Sequence, residues 1–332
     1  MSILGAIPID VEGSTGILAH IVDSAGAFTI SAGGGRSGAS IHATSFTTLQ
    51  KNLSSVLTTI NIHTAIKFST LSNFGSTFIL QICDTSTASP QITLMAQPDG
   101  SLQVRRGSAT GTILGSAAPS TISAGVVISL EMAITIDATV GTVDVWVNNA
   151  SVLHLTGQNT KATSNTTCSI MLWSCPASTT TDYCDMIWAN ARINDSTIET
   201  IVPTGAGNYT QFTPSAGSNW QNVDEIPPND DTDFNDTTTV GNIDSFTHAA
   251  LSGSPNTISA VIVNVRAKNT TTGSGSVAPF VRSSTTDSPG TAQALNTNYQ
   301  DFQAVYNTDP ATSVAWTTSG VNSCEFGYKR TA

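Results

Sequence analysis

Charged side chains are scarce in this chain. Of its 332 residues, only 11% are Asp, Glu, Lys or Arg, whereas an average soluble domain has about 25%. The charges present sum to −11 at neutral pH. Nucleic acid and anionic membranes are therefore not expected as partners, because phosphate groups are bound by Lys and Arg. A surface of this kind suits contact with neutral partners or other subunits, and it offers little acid–base chemistry.

Long apolar stretches and a secretory leader are also lacking. No segment approaches the roughly 18 apolar residues of a membrane-spanning helix. The first residues have neither the basic region nor the long apolar region of a signal peptide. We therefore expect synthesis in a cytoplasm without export, and no insertion into a membrane.

Cysteine is rare, and its spacing argues against a disulfide framework. The five cysteines are an odd number with loose spacing, which predicts reduced and mostly buried thiols. Cys168, Cys175 and Cys184, with Asp182 and Asp185, form the alternative of a zinc site. No C-x-x-C or H-x-x-x-H pair is present, so small buried thiols are the preferred interpretation.

Short apolar segments of β type, separated by turns, fill the chain instead. Between Ile60 and Phe68 the apolar residues occupy every second position, which predicts a strand with one buried face. Pro98-Asp99-Gly100 has the residues of a hairpin turn. Helical spacing occurs only around 45–57, as a short helix or a turn within a loop, and as one turn within Trp316–Asn322.

Short strand segments separated by turns, without alternating helices, predict antiparallel sandwiches. A looser stretch around Pro203–Gly207 suggests a domain boundary. We therefore predict an all-β chain with two β-sandwiches in series: an N-terminal arm over residues 1–15, a first domain over 16–202, and a C-terminal sandwich over 203–332.

The first domain resembles the concanavalin A-like, LamG-type jelly roll. Three segments carry the likeness: Pro98–Gly107, Leu130–Ile134 and Gly141–Asn148. They are similar to a hairpin at a DG turn, followed by a long hairpin that ends in an Asn turn.

Most of residues 95–332 resembles a group of uncharacterised proteins of tailed bacteriophages. The likeness lies in turn-type and core-type motifs in a fixed order, including Gln211–Ser215, Asn219-Trp220, the stretch 227–232, Tyr306–Pro310, Ala315–Thr317 and Glu325–Lys329. The resemblance implies a virion structural component, such as a fibre, spike, tail or capsid-surface protein, assembled with other virion proteins and copies of itself. The way phage spikes are built implies a trimer.

Candidate chemistry is sparse. Gly33–Gly38 matches G-x-G-x-x-G, but no helix start follows, so a sandwich loop is preferred over a nucleotide site. Glu131 is a candidate acid in an apolar run, but position 133 holds Ala where jelly-roll glycosidases have a second acid, which argues against a glycanase. No G-x-S-x-G motif accompanies the five histidines. The five tryptophans are expected in cores or interfaces more than on sugar-stacking platforms.

An acidic loop is the one candidate metal site. It holds clustered carboxylates at Asp230, Asp231, Asp233 and Asp236, which are the hard ligands that calcium prefers. The loop lacks the Gly and the closing Glu of an EF-hand, so a solvated loop without a cofactor is the default and calcium is the alternative. Asp84 and Asp99 are weaker candidates by analogy with lectin-like folds.

These observations predict a non-enzymatic virion protein that acts through assembly and host-surface attachment. The alternative is a carbohydrate-binding, lectin-like module that would bind host glycans, with calcium assisting the binding. A third hypothesis, a depolymerase, requires a pair of acids in a cleft, and the sequence offers no such pair.

Overall fold

The computed structural model describes residues 1–7, 24–25, 28–36, 38–44, 47–226 and 228–332. Within these ranges the chain is nearly all-β, with antiparallel sheets, which confirms the predicted fold class. The chain divides into two units, one of Met1 with residues 6–198 and one of residues 2–5 with 199–332. Most of the predicted arm over 1–15 lies outside the described residues.

The described strands of the first unit and of the chain start are, in order, β1 (Ile3–Ile7), β2 (Ser24–Ala25), β3 (Phe28–Gly35), β4 (Gly38–Thr44), β5 (Thr47–Leu57), β6 (Thr59–Phe68), β7 (Phe78–Cys83), β8 (Pro90–Ala96), β9 (Leu102–Arg106), β10 (Thr112–Ser116), β11 (Val127–Thr135), β12 (Gly141–Val147), β13 (Ala150–Gln158), β14 (Cys168–Cys175) and β15 (Thr180–Ala189). Eight of them form sheet A: seven follow the order β13-β12-β11-β6-β15-β4-β3, and β1 pairs with β15. Sheet B has the order β10-β9-β8-β7-β14-β5-β2. The chain passes back and forth between the sheets, as in a jelly-roll sandwich.

The two sheets pack face to face around a buried core. Trp173 on β14 donates from Nε1 to the hydroxyl of Thr64 on β6 at 3.0 Å, so these two side chains mark the inner faces. On β6, residues at even positions from Ile60 to Phe68 share the inner face, as the period of two predicts. The opposite face of β6 is buried as well, including His63, so the prediction of a single buried face is wrong.

The predicted hairpin turns are confirmed. Gly100 has φ of +78° between β8 and β9, a conformation that suits glycine because it has no Cβ. Asp99 accepts the backbone N–H of Ser101 at 2.9 Å, as an Asx turn does. Asn148 and Asn149, both with positive φ, join β12 to β13.

In two segments the structure differs from what the sequence pattern indicates. The segment with helical spacing around 45–57 is the eleven-residue strand β5, because Leu49 pairs with Trp173 in the core while Val56 is 63% exposed. Tertiary pairing thus overrides the helical spacing. The glycine-rich motif forms the β3–β4 hairpin, in which Gly35 pairs with Gly38, and Ser37 lies outside the described residues.

The second unit contains β16 (Pro203–Thr210), β17 (Thr213–Pro214), a 3-10 helix (Asn219–Asn222), β18 (Asn235–Asp236), β19 (Ile243–His248), β20 (Val261–Ala267), β21 (Gly275–Ser283), β22 (Thr286–Pro289), β23 (Gln293–Leu295), β24 (Gln300–Tyr306), helix α1 (Thr318–Ser323) and β25 (Glu325–Arg330). Its main sheet has the order β16-β19-β25-β21-β22, with β23 beside β21. Strands β20 and β24 form a separate ribbon.

The core of the second unit lies between the ribbon and the main sheet. Val263 and Val265 of the ribbon pack with Val277 and Val281 of β21 and with Trp316. The helical turn predicted within Trp316–Asn322 is confirmed as α1, which follows Trp316 and contributes Val321 to this core. Among the described residues, no helix has the length and apolar character needed to cross a bilayer.

Candidate functional site

The outer face of sheet B carries the candidate binding site. Side chains alternate along a strand, and Trp173 of β14 points into the core, so Ile170 and Leu172 lie on the outer face. Gln50 of β5 pairs with Leu172 and Asn52 pairs with Ile170, which places both amides on the same face.

A pocket of about 540 Å³ opens on this face, within the range of small-molecule sites. Its lining comes from β5, from the loop after β7 and from β14. The eight lining side chains that belong to the described residues are uncharged: Gln50, Asn52, Leu53, Thr85, Ser86, Thr87, Ser169 and Ile170. Six of them can form hydrogen bonds and two are aliphatic, which is a lining that suits hydroxyl groups next to C–H surfaces.

An apolar strip continues from the pocket along the same face. Cys83, Ile170 and Leu172 are buried together, and the ring of Phe78 packs against them. Next to the strip, Gln81 donates to Thr93 at 2.8 Å. The described part of this face therefore has a buried apolar cluster next to neutral polar groups, and the register places Arg105 on the same face as Gln81 and Thr93.

The loop of residues 159–167 borders this region and is fixed by one buried glutamine. Gln91 donates from Nε2 to the hydroxyl of Thr163 at 2.9 Å and to the carbonyls of Asn165 and Thr167 at 2.8 and 3.0 Å. Its Oε1 accepts the N–H of Ala162 at 2.7 Å. This side chain thus holds four residues of the loop in place.

Asp84 fixes the same loop from the end of β7. The residue is 3% exposed, and its carboxylate accepts bonds from Thr163, Asn165 and Thr167 at 2.8–3.0 Å. Its backbone carbonyl accepts the hydroxyl of Ser169, a pocket residue. The pocket wall is therefore held in place by side-chain bonds. Calcium at Asp84 or Asp99 stays a prediction.

The outer face of sheet A differs, because it carries buried charges. Arg36 donates from Nε to Asp185 at 2.9 Å and also contacts Asp195. Asp185 lies in a β-bulge of β15, with φ of +49°, and it accepts the backbone N–H of Ile198 at 2.8 Å. These bonds hold the irregular segment 190–198 on the sheet.

Glu131 fastens the same segment. Its carboxylate accepts Arg192 Nε at 3.2 Å and the backbone N–H groups of Ile193 and Asn194. Arg192 in turn lies over the ring of Trp146, 4.4 Å from the centroid. Both oxygens of Glu131 are thus engaged in holding the chain, which gives this carboxylate a structural role.

His63 is fully buried on this face. Its Nδ1 lies 2.8 Å from the backbone oxygen of Asp185, which can only accept, so Nδ1 carries the proton and Nε2 accepts from Ser129 at 3.0 Å. Burial is the main cause that lowers the pKa of His63, and the charge of Arg36 lowers it further. Because both partners are buried, the Ser129–His63 bond is structural.

This histidine makes the first unit sensitive to acid. Below its ordinary pKa of 6.5 the unfolded chain binds a proton that folded His63 does not, so stability falls as pH falls from about 6.5. We expect His63→Gln to flatten the dependence of unfolding free energy on pH between about 6.5 and 5. Urea titrations at several pH values measure this slope, and equal slopes in the two proteins would contradict the assignment.

The predicted acidic loop is paired with basic side chains. Both carboxylate oxygens of Asp230 accept hydrogen bonds from Arg266, and Oδ1 of Asp231 accepts one from Lys268 Nζ at 2.6 Å. The bond from Lys268 is the largest cause that lowers the pKa of Asp231. Asp233 is not part of these pairs, and its Oδ1 is buried without a hydrogen-bond partner. Among the described residues, no three His, Cys, Asp or Glu side chains are grouped for a metal; calcium here stays a prediction.

The predicted burial is confirmed for the five cysteines and for three of the five tryptophans. All five cysteines are buried, and this burial raises the pKa of Cys83, Cys168 and Cys324 to about 12. Trp173, Trp188 and Trp316 are buried. The pocket residues were not foreseen, because β5 had the spacing of a helix and the 85–87 turn carries only Ser and Thr.

Neither a protein-family model nor a curated protein matches the sequence. Three solved structures illustrate the fold. Alginate lyase Aly36B is 14% identical over 57% of this chain and 97% of its own, with a TM-score of 0.40. The potassium-bound Emp46p carbohydrate recognition domain is 11% identical over 57% and 97%, with a TM-score of 0.36. Carbohydrate-binding module CBM66 from Bacillus subtilis is 8% identical over 48% and 94%, with a TM-score of 0.31. Similarity at this level carries no information about the ligand of this chain.

Proposed function

We propose that the first unit binds a saccharide at the pocket on sheet B, without catalysing a reaction. The observation that carries this proposal is the lining, which offers six neutral hydrogen-bonding side chains and two aliphatic ones. Sugar rings present hydroxyl groups at their edges and C–H groups on their faces. Amide and hydroxyl side chains match the first, and Leu53 with Ile170 matches the second.

The lining also supports binding in preference to catalysis. General acid–base catalysis needs a positioned carboxylate, imidazole or similar group, and none of the eight lining side chains is of that type. The wall is already fixed by the bonds of Asp84 and Gln91, so little ordering accompanies binding, which favours affinity.

The double variant Gln50→Ala, Asn52→Ala tests this proposal. Each lost hydrogen bond removes about 0.5–1.5 kcal/mol, so we expect binding to weaken by about ten-fold or more. A glycan array of neutral oligosaccharides identifies the probe, and calorimetry of the full chain then compares the two proteins.

The matched control is Gln103→Ala. This amide also lies on sheet B, bonded to Ser116, and it does not line the pocket, so affinity should not change. Failure of the wild type to bind any glycan, or equal affinities of wild type and double variant, would contradict the proposal.

We also propose, from the sequence resemblance and the low charge, that the chain is assembled into a phage virion with copies of itself. Glycan binding would then serve attachment to a host surface, where weak contacts are repeated. Antibody labelling of purified particles under the electron microscope tests this assignment, and particles without label would contradict it.

A further inference from the structure

We infer that the pocket selects uncharged saccharides and rejects those that carry carboxylate or sulfate groups, because the carboxylate of Asp84 lies behind its wall. This inference rests on the proposed saccharide binding and concerns the class of ligand. Asp84 precedes the lining residue Thr85 in the chain, and its carbonyl oxygen accepts the hydroxyl of the lining residue Ser169.

The carboxylate of Asp84 has only neutral partners among the described residues. Thr163 and Asn165 donate to Oδ2 at 2.9 and 2.8 Å, and Thr167 donates to Oδ1 at 3.0 Å. Both oxygens act as acceptors, which is the behaviour of an ionised carboxylate. Neutral donors stabilise this charge without cancelling it.

Asp84 differs in this respect from other buried carboxylates of the unit. Asp185 is paired with Arg36 and Glu131 with Arg192, so each of those charges is compensated. The charge of Asp84 is felt by a neighbour: burial first, and then Asp84, raises the pKa of Cys168 to about 12. Among the described residues, the carboxylate behind the wall of this pocket is therefore bonded to no basic side chain.

The effect on an anionic ligand is repulsion. Two like charges about 8 Å apart, at the effective dielectric constant of a protein surface, repel by an amount that weakens binding on the order of ten-fold. A buried charge is screened less by salt than a surface charge, so the repulsion persists at physiological ionic strength. A hydroxymethyl group at the same position of the sugar meets no such cost.

The test uses pairs of probes that differ only in charge. Tetrasaccharides of β-1,4-linked glucose and of β-1,4-linked mannose are compared with the same oligomers after oxidation of C6 to a carboxylate, by calorimetry on the full chain. We expect each wild-type affinity for the oxidised form to be about ten-fold weaker. Equal or tighter binding of the oxidised forms would overturn the inference while leaving saccharide binding intact.

Two variants locate the source of the selectivity. Asp84→Asn removes the charge. Asn52→Lys instead adds a compensating charge at an exposed pocket residue, and it can be measured if Asp84→Asn does not fold. We expect either change to reduce the neutral-to-anionic ratio to within about three-fold. Gln103→Lys, with the same change of net charge away from the pocket, should keep the wild-type ratio.

The outcomes separate the two proposals. An unchanged ratio in a folded Asp84→Asn protein, or an equal loss of selectivity in Gln103→Lys, would assign the effect to the net charge of the chain and overturn the role of Asp84. Absence of binding to every neutral and oxidised probe would instead overturn the proposed saccharide site.

Discussion

Arg36→Leu is expected to lower the free energy of unfolding of the first unit by about 3 kcal/mol. The substitution removes the bonds to Asp185 and Asp195 and leaves the Asp185 side chain, which is 2% exposed, without a cation. An unpaired charge in the interior costs several kcal/mol. The segment 190–198 also loses the bonds from Arg36 to Asp195 and Ser196, so we expect its backbone amides to exchange faster.

Urea titration of the full chain measures the loss, and hydrogen exchange of peptides from β6 and β15 assigns it to the first unit. The matched control is His154→Ala, which breaks the surface pair with Asp144, where the His154 side chain is 70% exposed. Surface pairs contribute about 0–1 kcal/mol. Losses of the same small size in both variants would contradict the role given to Arg36.

The outer faces of the two sheets have opposite chemistry. On sheet A, the bonds of Arg36, Asp185 and Glu131 hold the segment 190–198 in place. On sheet B, the pocket is lined by neutral side chains. These three charged residues thus hold an irregular segment in place, whereas the side chains described at the pocket are neutral.

The strands and turns were largely predictable, because their signals are local. Alternation from Ile60 to Phe68 predicts a strand, although both of its faces are buried, and Pro98-Asp99-Gly100 predicts a turn through the conformations open to Asp and Gly. The strand β5 was not predictable from spacing. Its pairing with β14, more than one hundred residues away in sequence, decides its conformation.

The side-chain clusters could not be predicted, because their members are far apart in sequence. Arg36 and Asp185 are separated by 149 positions, and nothing near either residue indicates the other. The partner of the acidic loop is also distant in sequence, because Asp230 pairs with Arg266 on strand β20. The clustered carboxylates indicated calcium because the sequence shows the ligands but not the competing cations.

The pocket illustrates what composition does convey. The scarcity of charge predicted a neutral contact surface, and the lining has this character. Composition gives no position, however. The position follows from the register of β5 with β14, which places Asn52 beside Ile170, and from the loop that Asp84 and Gln91 fix in place.

Asp244→Ala is expected to have the largest effect in the second unit. The residue is fully buried on β19, and its carboxylate accepts the N–H groups of Gln211 and Phe212 at 2.7 and 3.0 Å, Asn219 Nδ2 at 2.7 Å and the Tyr328 hydroxyl at 3.3 Å. Alanine removes the acceptor that these four donors share, at about 1–3 kcal/mol for each donor left unpaired in the interior. We expect a loss on the order of 4 kcal/mol in the free energy of unfolding.

Two further variants make this measurement specific. Asp244→Asn keeps one acceptor oxygen but turns an amide toward the donor Asn219, so its loss should be intermediate. Asp236→Ala removes an exposed carboxylate of β18 and should change stability by at most about 0.5 kcal/mol. Urea titration, with hydrogen exchange of β19 and β25 peptides, ranks the three proteins. An Asp244→Ala protein as stable as Asp236→Ala would show that this carboxylate does not organise the 211–219 turn, because the donors would then have found other acceptors.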